Sequence, residues 1–213
     1  MIRHAIWDFD GTLFDTYPVM SRAFHEALLQ MGCPDPPTQA EVREKMRFTM
    51  QDAFDAFVSG RGLSVAAFTE IYRPLRIRLE EEAAKPFPGA KELCRDLIKA
   101  GGRNFIFTHR SRTALPMLDQ HGMTGDFAGI VTMDDGFPRK PAPDAIQYLQ
   151  GRFDFAREDA IMIGDRELDI LSGLAAGVHT CRVFPEPGEA TQAEFTAHTF
   201  AELRKILGLA PGI

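Results

Sequence analysis

The stretch Trp7-Asp8-Phe9-Asp10-Gly11-Thr12 closes an apolar run that begins near Ile2. Its alternation is imperfect, and a short, mostly apolar run ending in glycine predicts a buried parallel strand. Two acids at the C-terminal end of such a strand are an anomaly, because a buried carboxylate is costly unless a cation or hydrogen-bond donors meet it. Ligands of open α/β sheets also gather at that end, so the pair points to a cation site. Asp8 and Asp10 share a face if the extended conformation persists through Asp10. Gly11 then lets the chain turn sharply and lets a ligand approach the backbone. The competing account is an acidic turn capped by Thr12.

Beyond Thr12 the period of the apolar residues changes. Val19, Met20, Ala23, Phe24, Ala27, Leu28 and Met31 fall at helical spacing between Pro18 and Met31, and Gly32 with Pro34-Asp35-Pro36-Pro37 ends the run. Further helices are expected over Gln39 to Met46, Gln51 to Phe57 and Ser64 to about Ala83, with Ser64 as an N-cap. No convincing strand interrupts this block, which reads as a helical insert over 15–85. From Gly89 onward helix and strand alternate, the signature of a parallel sheet with crossover helices. Strands are expected at Asn104 to Phe107, Phe127 to Thr132, Ala160 to Ile163 and His179 to Phe184. Between and after them come helices near Ala90 to Ala100, Thr113 to His121, Ala142 to Gly151, Glu167 to Ala176 and Phe200 to Leu207. That makes five strands in an α/β core built from 1–14 and 86–213. Their pairing order is not readable from periodicity.

The 213 residues suffice for one large domain or two small ones, and 45% hydrophobic with 25% charged residues is an ordinary globular balance that excludes disorder. A net charge of −6 argues against nonspecific nucleic-acid binding and against adhesion to anionic membrane. Cys33, Cys94 and Cys181 are too widely spaced for a zinc or disulfide framework and read as reduced thiols. No apolar stretch approaches the length of a membrane span, and Met1 leads straight into the first strand without a signal-peptide core. The expectation is a soluble cytoplasmic protein with neither nucleic acid nor membrane as partner. It would be a monomer or a homodimer.

Polar residues recur where the other strands end. Thr108-His109-Arg110 follows the second strand, and a hydroxyl with two potentially cationic neighbours suits a dianionic group. A Thr N-cap beside a solvated Arg is the equal alternative. Lys140 lies in Pro138-Arg139-Lys140-Pro141-Ala142-Pro143, where prolines stiffen the backbone and aim the ammonium. Outside that setting it would be an ordinary surface lysine. Gly164-Asp165-Arg166-Glu167-Leu168-Asp169 follows the fourth strand. Asp165 is expected where Asp8 stands on its own strand, and Asp165 and Asp169 share a helix face if the helix has already begun. Helix capping explains one of these acids, not a second acidic strand end in the same chain. Carboxylates on two strands, a hydroxyl on another and an ammonium before a helix imply a hard ion bound by oxygen. Mg²⁺ is the natural choice when a phosphate completes its shell.

The chain resembles the haloacid dehalogenase superfamily, specifically its phosphatase branch. The resemblance rests on Asp8-Phe9-Asp10-Gly11-Thr12-Leu13-Phe14-Asp15, on Thr108, on Lys140-Pro141-Ala142-Pro143-Asp144 and on Gly164-Asp165 with Asp169, in the family's order and across nearly the whole chain. It implies a Rossmann-like parallel sheet of order 3-2-1-4-5, with the all-helical insert as a cap domain. It implies Asp8 as the nucleophile that forms an aspartyl-phosphate, and Asp10 as the acid for the leaving oxygen and then the base for water. Mg²⁺ would be held by Asp8, the backbone carbonyl of Asp10 and Asp165, with Asp169 in support. Thr108 and Lys140 would grip the phosphoryl oxygens. The reaction implied is hydrolysis of a small phosphorylated metabolite, of phosphoglycolate type.

The chain also departs from the family pattern. Arg166 stands where many relatives carry Ser or Thr, and His109 and Arg110 stand where a small or amide residue is common. His109 and Arg110 either touch the substrate or face the cap. Arg47, in Arg47-Phe48-Thr49-Met50-Gln51, either offers the leaving group a cation or belongs to the hinge or the cap core. The presence of Asp10 disfavours C–halogen hydrolysis. Two rivals share these motifs: a phosphosugar mutase, and a protein that binds a phospholigand without turnover.

Overall fold

His4–Trp7 forms strand β1, and all four of its residues are buried. The computed structural model describes residues 2–210; Met1, which the sequence sets directly before this strand, lies outside the described residues, as do 211–213. Four helices follow: α1 (Tyr17–Gln30), α2 (Gln39–Phe48), α3 (Met50–Phe57) and α4 (Val65–Ala83). The chain then runs through α5 (Ala90–Lys99), β2 (Arg103–Phe107), α6 (Ala114–Gln120), β3 (Gly129–Val131), α7 (Asp144–Phe153) and β4 (Ala160–Gly164). It finishes with α8 (Glu167–Ala176), β5 (His179–Val183), β6 (Phe195–Ala197) and α9 (Phe200–Ile206). By its contacts the chain divides into two compact units, one of them Asp15–Lys85, the other built from the segments up to Phe14 and from Pro86 onward.

The sheet-bearing unit has strand order β3-β2-β1-β4-β5-β6, and every pairing is parallel. This is the expected α/β Rossmann-like fold with one strand more than expected. The added strand, β6, has three residues, sits at the edge and is only partly buried, so it carries too short an apolar pattern to stand out in the sequence. Parallel strands are covered by helices on both faces, which is why β1 and β4 read as continuous apolar runs rather than alternating ones. On one face Ile6, Phe105, Phe107 and Met162 pack against Ala145, Ile146 and Leu149 of α7. On the opposite face Trp7 Nε1 donates to Asn104 Oδ1 at 3.0 Å, and Asn104 Nδ2 donates to the Cys94 carbonyl at 2.8 Å.

β1 lies between β2 and β4, where the order of connection reverses, and Trp7 is level with Ile106 and Ile163. A crevice therefore opens at the carboxyl ends of these three strands. The residues that follow each strand are the polar ones singled out above.

The helical unit is organised on aromatic packing. α1 packs against α4 and α2. Phe24 meets Phe68 with ring centroids 4.5 Å apart and Tyr72 at 5.7 Å, and Phe54 meets Phe68 edge-on at 5.4 Å. Ser64 caps α4 as expected, its side chain accepting from the Ala67 N–H, and Thr38 with Glu41 forms a capping box on α2. Pro74 lies inside α4, which continues through it. All three cysteines are free and buried, and among the described residues no helix is long and apolar enough to cross a membrane.

Candidate active site

Every side chain in this account of the site belongs to the sheet-bearing unit. β1 ends at Trp7, and Asp8 is carried into the crevice by its own N–H, which donates to the Ile163 carbonyl at 2.9 Å. The extended conformation does not persist, so the shared face expected for Asp8 and Asp10 gives way to two different settings. Gly11 adopts φ 77° and donates to the Phe14 carbonyl at 2.8 Å, making the sharp turn that only glycine takes at little cost.

Asp8 is buried, and its Oδ1 accepts from Lys140 Nζ at 2.6 Å. The same ammonium donates to Asp169 Oδ1 at 2.7 Å, so one lysine bridges two buried acids. Asp169 Oδ2 in turn accepts from the N–H of Arg166, the N-cap residue of α8 (Glu167–Ala176), at 3.0 Å, so Asp169 braces the start of that helix as well as partnering Lys140. Burial pushes the Asp8 carboxyl up to about 7, against the pull of Lys140. Burial acts on Asp169 too, but the charges of Lys140 and Arg166 outweigh it and hold that carboxyl below its usual range. Asp8 Oδ2 is buried and receives no hydrogen bond, and Arg166 Nη2 lies 4.0 Å from it.

One carboxylate oxygen from each of Asp8, Asp165 and Asp169 lies within 4.8 Å of the other two. Asp165 follows β4 directly, as Asp8 follows β1 and as expected, although the register sets Asp8 beside Gly164, one residue before Asp165. Asp165 and Asp169 do not share a helix face, because α8 starts only at Glu167. What brings the acids together is the turn after β4, where Thr12 Oγ1 also donates to Asp165 Oδ1 at 3.1 Å. Gly164 is required by this packing, since a Cβ there would lie 2.3 Å from the Asp169 Cβ. Gly164→Ala is therefore expected to displace Asp169 from Lys140, lowering catalytic turnover by about 10²-fold, the scale for losing one positioned electrostatic group. A turnover assay on the folded variant checks it.

The carboxyl group of Asp10 lies outside that cluster. It is gripped by Arg110, whose Nε donates to Oδ2 at 3.1 Å and whose Nη2 donates to Oδ1 at 2.6 Å. The Arg110 side chain is 1% exposed and that of Asp10 19%. Thr108 is buried at the end of β2, and its Oγ1 accepts from the Arg110 N–H at 3.0 Å, leaving its own proton to donate. Neither of the two readings left for Arg110 anticipated this pairing, because the partners are 100 residues apart and no local spacing encodes it.

His109 Nε2 accepts from the Lys140 N–H at 2.7 Å, so this ring anchors the backbone that carries the lysine. Burial, with Lys140 and Arg139 beside it, pushes the imidazole down to about 3, so the ring is neutral. Accepting at Nε2, it carries its proton on Nδ1, 3.4 Å from Arg139 Nη2. Lys140, Arg139 and Arg166 oppose its protonation and Asp169 favours it. A histidine whose folded value lies below its unfolded one stabilises the fold above about 6.5, and that contribution is lost as pH falls toward 3. His109→Gln should therefore melt below the wild type at pH 7, with the gap closing by pH 4; a gap constant with pH would contradict this.

Arg47 lies in the last turn of α2, in the helical unit. Arg166, whose role the sequence left open, occupies the cap position of α8 within 4.0 Å of Asp8 Oδ2.

A model of the haloacid dehalogenase-like hydrolases matches residues 5–183 of the chain. A phosphoglycolate phosphatase of Vibrio parahaemolyticus is 26% identical over 232 residues, covering 98% of this chain and 97% of that one. The pyrophosphatase PpaX of Bacillus pumilus is 28% identical over 183 residues, covering 85% and 83%. Among solved structures, a hydrolase from Streptococcus pneumoniae superposes with a TM-score of 0.67 at 28% identity, covering 98% of this chain and 99% of that one.

Proposed function

From the premise that this chain belongs to the haloacid dehalogenase-like hydrolases, we propose that it is a Mg²⁺-dependent phosphatase that hydrolyses a small phosphomonoester through an aspartyl-phosphate on Asp8. The observation that carries the reading is Asp8 itself: a buried carboxylate with Lys140 on one oxygen and no hydrogen bond on the other. Such an atom costs stability and is retained where it has chemistry to perform.

The donors fit a hard divalent cation, because Asp8, Asp165 and Asp169 present carboxylate oxygens with neither His nor Cys among them. Asp8 and Asp165, with the Asp10 backbone carbonyl, would hold Mg²⁺, and Asp169, engaged by Lys140 and Arg166, would support them. When bound, the ion supplies positive charge that lets a carboxylate approach an anionic phosphate.

The chain's own groups account for the rest. Asp8 attacks phosphorus while Asp10 gives a proton to the departing oxygen; Asp10 then takes a proton from the water that opens the aspartyl-phosphate. Lys140 directs two of its three donors at Asp8 and Asp169, so the third serves a phosphoryl oxygen. Thr108 donates its hydroxyl proton to another.

The names of the curated relatives favour 2-phosphoglycolate as the ester, with inorganic pyrophosphate, an anhydride, as the alternative substrate. A panel of phosphate esters and anhydrides with Mg²⁺ tests the reading. Phosphate release from one or more of them, abolished by a chelator, is expected. No release from any member would overturn it.

A further inference from the structure

The fork between Arg110 and Asp10 has no counterpart at Asp8, although both acids follow the same strand. Asp8 is met by an ammonium, a compact charge whose donors rotate freely; Asp10 is met by a guanidinium, whose planar donors fix the plane of the carboxylate as well as its charge. We propose that Arg110 is a positioning residue, which holds the Asp10 carboxyl group in the orientation needed to pass a proton to the leaving oxygen. This role rests on the phosphatase reading above.

The surroundings of Arg110 are those of a fixed support. Its backbone N–H donates to Thr108 Oγ1 at 3.0 Å, and its carbonyl accepts from the Met133 N–H at 2.9 Å, tying it to the segments after β2 and β3. The guanidinium lies 5.4 Å from the centre of the Phe9 ring, and its Nη1 contacts Met117 Sδ at 3.7 Å. Phe9 stacks on Phe14 at 4.5 Å, and both rings are fully buried. The guanidinium is thus seated on packed side chains, whereas the carboxyl it holds keeps part of its surface open. A rigid donor behind a partly open acceptor is the arrangement of a support and its tool.

The role makes a prediction that simple stabilisation does not. Loss of orientation at Asp10 matters in proportion to the leaving oxygen's need for a proton, so an alkyl phosphate suffers and a nitrophenyl phosphate, whose leaving group departs as a stable anion, suffers little. The test is steady-state kinetics with Mg²⁺ on 2-phosphoglycolate and p-nitrophenyl phosphate, for wild type, R110K, R110Q, D10N and D10N/R110Q. We expect R110Q to lower kcat on the alkyl ester by about 10²-fold and on the aryl ester by less than tenfold, with KM nearly unchanged. R110K keeps the charge but lacks the fork, and should resemble R110Q. The double variant should be no slower than D10N, because the two residues act as one unit.

Melting curves establish that each variant is folded; should R110Q fail to fold, R110K, which retains the buried charge, carries the same comparison. Equal losses on both esters with a raised KM would overturn the role in favour of direct substrate binding, as would losses that multiply in the double variant. No phosphate release by the wild type from these esters or from any other member of the panel would instead remove the phosphatase reading, and the role with it.

Discussion

Asp8→Asn should lower phosphate release by roughly 10⁴-fold or more, the scale on which enzymes lose activity when the nucleophile of a concerted set is removed. The replacement is nearly isosteric, and its amide oxygen can still accept from Lys140. It also removes a carboxyl whose burial already disfavours ionisation. The fold should therefore survive, and a melting curve beside the activity assay separates loss of chemistry from loss of structure. Retained turnover in a folded variant would refute the nucleophile assignment.

Lys140→Met should have the largest effect on stability. The ammonium has no exposed surface and lies between two carboxyls that are themselves buried. Removing it leaves buried negative charge without its partner, which costs about 3–5 kcal/mol where such pairs have been broken. For a chain of this size that corresponds to a fall of roughly 6–20 °C in the melting midpoint. Activity should be lost as well, since the same group faces the phosphoryl oxygens in the proposed mechanism. The double variant Asp8→Asn, Lys140→Met should regain part of the lost stability, because one of the stranded acids is then neutral. A single variant as stable as the wild type would mean that the cluster is not held by this lysine.

The parts of the molecule legible in the sequence are those written in local pattern. β1 and β4 are continuous apolar runs ending in acid, so both their existence and the chemistry at their ends could be read. The sheet order 3-2-1-4-5 came from the resemblance to a family, since periodicity says nothing about which strands pair. β6 escaped notice because three partly buried residues carry too little pattern. The side-chain pairings were hidden for a different reason. Arg110 with Asp10, and Lys140 with Asp8, join residues 100 and 132 positions apart, and such contacts exist only once the sheet has brought the strand ends together. His109 shows the same limit: neither reading left for it, substrate contact or cap-facing side chain, encodes the hydrogen bond its ring nitrogen accepts from the Lys140 backbone. The expected helix face shared by Asp165 and Asp169 failed on a boundary, since the start of α8 at Glu167 decides whether helical spacing applies.

The account turns on whether phosphorus passes through Asp8, and trapping the intermediate asks this directly. The enzyme is mixed with its substrate and Mg²⁺, quenched during turnover and reduced with borohydride, which converts an aspartyl-phosphate to homoserine; the peptides are then read by mass spectrometry. Homoserine at position 8 alone is the predicted result. Turnover that leaves Asp8 unmodified while another side chain carries the label would contradict it.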